Sequence, residues 1–131
     1  MRGGAGRLTV RRPALGEPIL ERVVAALAAR ADLPLDRLAD AQLVASALAA
    51  GAPRHTSDGD LRVRLDAAGG HVELAVGPLT SGSGERVITD SRLPGVGSVL
   101  EQLVDRWSVE VEGAGREMLL LTIGVREPAA S

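Results

Sequence analysis

The stretch Leu61 to Val76, LRVRLDAAGGHVELAV, constrains the fold more than any other part of the chain. Leu61, Val63 and Leu65 alternate with Arg62, Arg64 and Asp66, and Val72, Leu74 and Val76 alternate again after a turn at Ala67 to Gly70. Successive strand side chains point to opposite faces, so each run has one apolar side and one polar side. This pattern predicts an antiparallel hairpin with one face on a core and one face in water. Such a sheet needs a second layer to cover its apolar face.

Helical periodicity supplies that layer. Pro18 suits a first turn, and Ile19, Val23, Leu27 and Ala28 recur at helical spacing through Ala31. Pro34 opens a second helix, in which Leu38, Ala41, Val44, Ala45, Leu48 and Ala49 share a face before Gly51 and Pro53 stop it. A third helix is expected over Val96 to Arg106, with Val99, Leu100, Leu103 and Val104 inward. Leu8 and Val10 predict a short first strand after a mobile Gly-rich tail at 1–6. Trp107, Val109 and Val111 predict another strand, and Met118 to Val125 predict the last, most apolar and central one. Gly77 to Pro94 reads as a long connection rich in Gly, Ser and Thr, with a short strand at Arg86 to Ile88. Loop polarity accounts for Thr80, Ser81 and Ser83 there. The expected fold is α+β: a two-layer α/β sandwich with about three helices on one face of a mixed, mostly antiparallel sheet. It forms a single domain over 7–127, followed by a short tail at 128–131.

Composition removes several chemistries. One Trp with no Phe or Tyr makes the core aliphatic, and the net charge of −2 is spread over 15 Arg and 17 acidic residues. Neither a domain-wide basic footprint nor aromatic stacking platforms are present, which argues against direct binding of nucleic acid. The chain has no Cys, so disulfides, thiolate zinc sites and a thiol nucleophile are excluded. It has no Lys, which removes the P-loop lysine and Schiff-base catalysis. Two histidines, His55 and His71, are too few for a multi-His metal centre. The N-terminal residues lack an apolar signal region, and no apolar run reaches the roughly 18 residues of a membrane span. The expected location is the cytoplasm, away from the membrane.

The segments PILERVVAALAARADLPLDRLADAQLVASAL, LRVRLDAAGGHVELAV and GVGSVLEQLVDRWSVEVEGAGREMLLLTI follow one another in the chain. In that order and spacing they resemble the anti-sigma-factor serine kinases of the GHKL ATPase superfamily, relatives of the histidine kinase and Hsp90 ATPase domains. The resemblance spans residues 7 to about 126. It implies a Bergerat-like fold and a bacterial transcription regulator. It also implies partners that are a sigma factor or an anti-anti-sigma-type regulator, and a possible homodimer.

Three positions that carry the chemistry in that family differ here. The family has a Glu on its second helix, which orients the attacking group, and one turn later an Asn that helps hold Mg²⁺. With His55 set on the family His, Ala47 stands at the Glu and Gly51 at the Asn. Mg²⁺ takes oxygen ligands, which neither side chain provides, and the chain contains no Asn to restore one. At the end of the hairpin the family has an Asp that accepts from the adenine amino group, and Gly77 stands there. The Gly-x-Gly loop that cradles phosphates with backbone N–H groups is kept as Gly95, Val96 and Gly97.

The resemblance therefore implies an anti-sigma-factor-like regulatory binding module with a degenerate ATP and Mg²⁺ site, no catalytic residue and no metal site. No cofactor is expected, although ATP or ADP could bind without a canonical Mg²⁺ site through Gly77, Gly95, Gly97, Arg54 and His55. Two alternatives stay open: an ATP-binding serine/threonine kinase using non-standard ligands, and a non-nucleotide ligand-binding or structural domain. Arg54 is read as a solvated cation or an anion contact. His55 is read as a loop residue or a pocket-mouth residue, and His71 as a surface residue. Glu101 and Asp105 are read as a charged face of the third helix. Trp107 is read as an anchor in the core or at an interface.

Overall fold

A computed structural model describes residues 4–10, 13–56, 59–68, 70–93, 97–113 and 115–124. The chain runs β1 (Gly4–Val10), α1 (Pro13–Arg30), α2 (Leu35–Gly51), a 3-10 turn (Ala52–His55), β2 (Leu61–Ala68) and β3 (His71–Thr80). It continues through α3 (Ser83–Asp90), β4 (Arg92–Leu93), β5 (Gly97–Ser98), α4 (Val99–Leu103), β6 (Arg106–Gly113) and β7 (Arg116–Gly124).

Five strands form one sheet in the order β1-β2-β3-β7-β6, and every pairing in it is antiparallel. Register explains why the helices gather on one side. Val63, Val76 and Leu119 stand in one row across the sheet. Leu65, Leu74 and Leu121 form the next row, and Ala67, Val72 and Ile123 the third. All nine are buried. The rows between them, Arg64–Ala75–Leu120 and Asp66–Glu73–Thr122, belong to the opposite face. Helices α1 and α2 pack on each other, with α1 against β1 to β3, while α3 reaches β3 and β7. The architecture is an α+β two-layer sandwich whose core is almost wholly Leu, Val, Ile and Ala. The last strand is interior, between β3 and the edge strand β6.

Where α1 ends, Asp32 takes a left-handed conformation (φ 60°) and the Leu33 amide donates to Ala28 at 3.1 Å. The Ala31 carbonyl accepts from the Gly70 amide at 2.8 Å, which fixes the hairpin turn to the helix end. None of the described helices is long and apolar enough to cross a membrane.

Several boundaries differ from those the sequence suggests. β1 begins at Gly4, pairing with Ala67, so it takes in three residues read as tail. α1 begins at Pro13, five residues before Pro18, where the sequence pattern sets its first turn. The third expected helix, α4, spans only Val99–Leu103, because Asp105 donates its amide to Thr122 at 2.8 Å and starts the sheet again. Val96 lies outside the described residues, as do 1–3, Val125 at the expected end of the last strand, and 126–131 with the expected tail at 128–131.

Candidate functional site

The residues singled out from the sequence lie mostly where α2, its 3-10 turn and α3 meet. Ala47 is buried in the core among its helix neighbours. Gly51 is the last residue of α2, and a Cβ built there would stand 3.8 Å from Ser91 Oγ. The Arg54 Nε donates to the Gly51 carbonyl at 3.2 Å, so this exposed guanidinium satisfies one of the helix's terminal acceptors. His55 closes the turn, and its carbonyl accepts from Thr80 Oγ1 at 3.2 Å. Thr56 then forms a bridge with Leu79 and donates through Oγ1 to Pro53 at 2.7 Å. The end of α2 is thus tied to the end of β3.

The segment expected to be an irregular loop with a strand at Arg86 to Ile88 is instead a helix. β3 passes Gly77 through an irregularity between Val76 and Leu79 and continues to Thr80. α3 follows, with Ser83, Gly84, Val87 and Ile88 buried on one side. Gly82 sits before it in the left-handed region (φ 81°), and its amide donates to Glu117 Oε1. Glu117 points inward from β7 and is buried, so a carboxylate lies against the positive end of the helix. Gly84 is a glycine for want of room: a Cβ there would lie 2.6 Å from Val109 Cγ2 and 3.0 Å from Glu117 Oε2. Only two large apolar side chains mark this helix, and partners on β7 hold it.

Beyond α3, Ser91 Oγ donates to Val87, and Ser98 Oγ donates to Ile88 at 3.3 Å. The Val99 amide, first in α4, donates to Ser91 at 2.9 Å. That amide is therefore already used and is not free to cradle a phosphate. Gly97 pairs with Leu93 in the two-stranded ribbon β4–β5, and Gly95 lies outside the described residues. Gly77 stands apart from the rest. Its Cβ position is 2.6 Å from Met118 Sδ and 3.0 Å from the Glu117 carbonyl, on the side of the sheet away from the helices. Close approach of β7 accounts for that glycine. The structure thus brings Gly51, His55 and the Gly97 ribbon around the C-terminal end of α3, and leaves Gly77 out.

The electrostatics of this region centre on His55. Its Nε2 is 3.9 Å from Asp90 Oδ2 and has no hydrogen-bond partner. Burial holds the imidazole below its ordinary pKa; Asp90 opposes this, and Arg54 and Arg86 add to it. Among the described residues, no group of three or more His, Asp or Glu side chains is placed to hold a metal ion.

Two features escaped the sequence reading. Arg37 is buried at 2% exposure: its Nε donates to the Gly124 carbonyl at 2.8 Å, and its two terminal nitrogens reach Asp40 at 2.8 Å and Asp105 at 3.0 Å. Asp105 is therefore a tie between α2 and the sheet, not part of a charged helix face, and it lies beyond the end of α4. The signal was present: Arg37 falls on the stripe of Ala41, Val44, Ala45 and Leu48. The second feature is a shallow groove of about 670 Å³ on the open face of the sheet, floored by Ala75 and Leu120 and rimmed by Arg64, Asp66, Arg106 and Glu110.

No protein-family model matches the chain, and no curated protein is significantly similar to it.

Proposed function

We propose that the chain is a regulatory protein-binding module, allied to the anti-sigma-factor serine kinases, in which nucleotide chemistry has been lost. The observation that carries this reading is the packing of α3 and Ser91 against the end of α2. Ala47 is buried in the core, and a Cβ at Gly51 would stand at ordinary contact distance from Ser91. In the family register these two positions would supply the activating and Mg²⁺-binding oxygens. Packed interiors leave few voids, and the burial of Ala47 and the nearness of Ser91 to Gly51 leave little room for such side chains. Gly77, at the family's adenine-reading position, turns to the other face of the sheet. The partner is a sigma factor or an anti-anti-sigma-type regulator, and the module acts in the cytoplasm without a cofactor.

The test has two arms. Thermal unfolding is measured with and without millimolar Mg²⁺-ATP and Mg²⁺-ADP. A ligand of the folded state at about 100 times its Kd would add roughly 2.7 kcal/mol of stability, so the expected result is no shift. Titration calorimetry against sigma factors and anti-anti-sigma proteins encoded beside this chain is expected to show binding without phosphate transfer. A clear nucleotide shift, or Mg²⁺-dependent phosphorylation of a partner, would overturn the reading.

A further inference from the structure

On the open face of the sheet the short side chains are central and the long ones lie to either side. At the centre, Ala75 of β3 is 7% exposed, and Leu120 and Thr122 of β7 are half-buried. On one side β2 presents Arg64 and then Asp66, both exposed. On the other β6 presents Glu110, Ser108 and Arg106, also exposed. Register sets their levels. Arg64 and Ser108 flank Ala75 and Leu120, while Asp66 and Arg106 flank Glu73 and Thr122. Glu110 stands at the next level, beside Met118. The groove of about 670 Å³ is therefore a trough, with its floor on β3 and β7 and a charged wall on each side.

The two walls carry their charges in opposite order. Toward one end Arg64 lies diagonally across from Glu110, and toward the other Asp66 and Glu73 lie across from Arg106. Among the described residues, none of Arg64, Asp66, Arg106 and Glu110 forms an ion pair with another side chain. The walls are three strand spacings apart, roughly 14 Å. An α-helix with its side chains is about 10–12 Å across. Small-molecule sites enclose most of their ligand, which an open trough does not, whereas a helix needs only one side covered.

We propose that this face is the docking groove for an amphipathic α-helix of a different protein, laid along β3 and β7. Its contact stripe is Ala and Leu, resting on Ala75 and Leu120. Its flank over β2 carries an acidic residue for Arg64 and, one turn on, a basic one for Asp66 and Glu73. Helix positions four apart are separated by about 6 Å, close to the roughly 7 Å between alternate strand residues. Its flank over β6 carries a basic residue for Glu110 and, two turns on, an acidic one for Arg106. The groove lies across the sheet from α1 and α2, so the proposal does not depend on the regulatory reading above.

The test titrates the intact, nitrogen-15-labelled chain with two synthetic stapled helices of about four turns. Both carry the Ala and Leu stripe; one has the flanks just described, and the other has its β6-side charges reversed. Amide shifts are followed by nuclear magnetic resonance. The first helix is expected to shift Ala75, Ser108 and Leu120 saturably while α1 and α2 stay in place, and to bind on the order of tenfold tighter than the second. Arg106→Glu combined with Glu110→Arg is expected to reverse that preference. Both side chains are exposed, so this variant should keep a folded spectrum. No saturable shift on the open face would overturn the proposal, as would equal binding of the two helices. Shifts of the same amides on raising the protein concentration alone would overturn it in favour of a second copy.

Discussion

Arg37 and Asp105 are 68 positions apart in the chain, yet the guanidinium and carboxylate meet at 3.0 Å, and the other oxygen of Asp105 accepts the Gly124 amide at 2.6 Å. A charge withdrawn from water is tolerated only with partners, and removing one partner strands the rest. Arg37→Met is therefore expected to destabilise the fold by about 3 kcal/mol, and Asp105→Leu by a comparable amount. In a double-mutant cycle read by urea unfolding, the paired substitution should cost clearly less than the sum. Arg37→Lys should not rescue, since a single ammonium cannot serve Gly124, Asp40 and Asp105 in their fixed directions.

His55 predicts a pH dependence. Its folded-state pKa lies below the unfolded value because burial disfavours the imidazolium. The unfolded chain then binds more protons in the window below about pH 6.5 and above the lowered pKa. Stability should be full above that window and fall as the pH drops through it. His55→Gln should flatten this part of the profile, measured as unfolding midpoint against pH from 8 to 5.

Two glycines give opposite expectations. Gly51→Ala places a methyl at ordinary contact distance from Ser91, at the end of a helix, and should be neutral or stabilising by up to about 1 kcal/mol. Gly77→Ala drives a Cβ to 3.0 Å from the Glu117 carbonyl, backbone that cannot step aside, and should cost about 1–3 kcal/mol. Thermal unfolding of the two variants settles the contrast.

Under the proposed function, placing the family's oxygens at 47 and 51 should not confer nucleotide chemistry. In Ala47→Glu combined with Gly51→Asn, the Glu would be buried at a position only 4% exposed. An unpaired buried carboxylate is costly, so the variant should melt markedly lower and show no added stability with Mg²⁺-ATP.

Glu117 secures the start of α3 through the Gly82 amide. Glu117→Ala should lower stability by about 1–3 kcal/mol, leaving that amide without its acceptor. Hydrogen exchange should rise first within α3 and the Ser98–Val99 junction, ahead of β3 and β7.

The β2–β3 hairpin was legible because a period of two over sixteen residues, with glycines at the turn, admits little else. The layered class followed from it. α3 was not legible, for a physical reason: Ser83–Asp90 carries two large apolar residues and a glycine, and what holds it helical is Glu117, 35 positions away from Gly82. α4 was overextended because Val104 continues the apolar spacing, while the Asp105–Thr122 hydrogen bond that ends the helix is non-local. Of the candidate site, the identities at 47, 51 and 77 were readable; that Ala47 is buried, that Gly51 meets Ser91, and that Gly77 is crowded by β7 depended on tertiary packing. Arg37 could have been found as a charge on an apolar stripe.

Trp107 stands on an exposed edge strand of a chain with no other aromatic residue apart from its two histidines. Intrinsic fluorescence therefore reports on the rim of the sheet and says little about the interior. Emission should shift when the rim is covered, and it can stay nearly constant while distant helices loosen. An unfolding curve recorded by fluorescence and one recorded by far-ultraviolet dichroism follow different parts of this molecule, and a gap between them would measure how independently the rim comes apart.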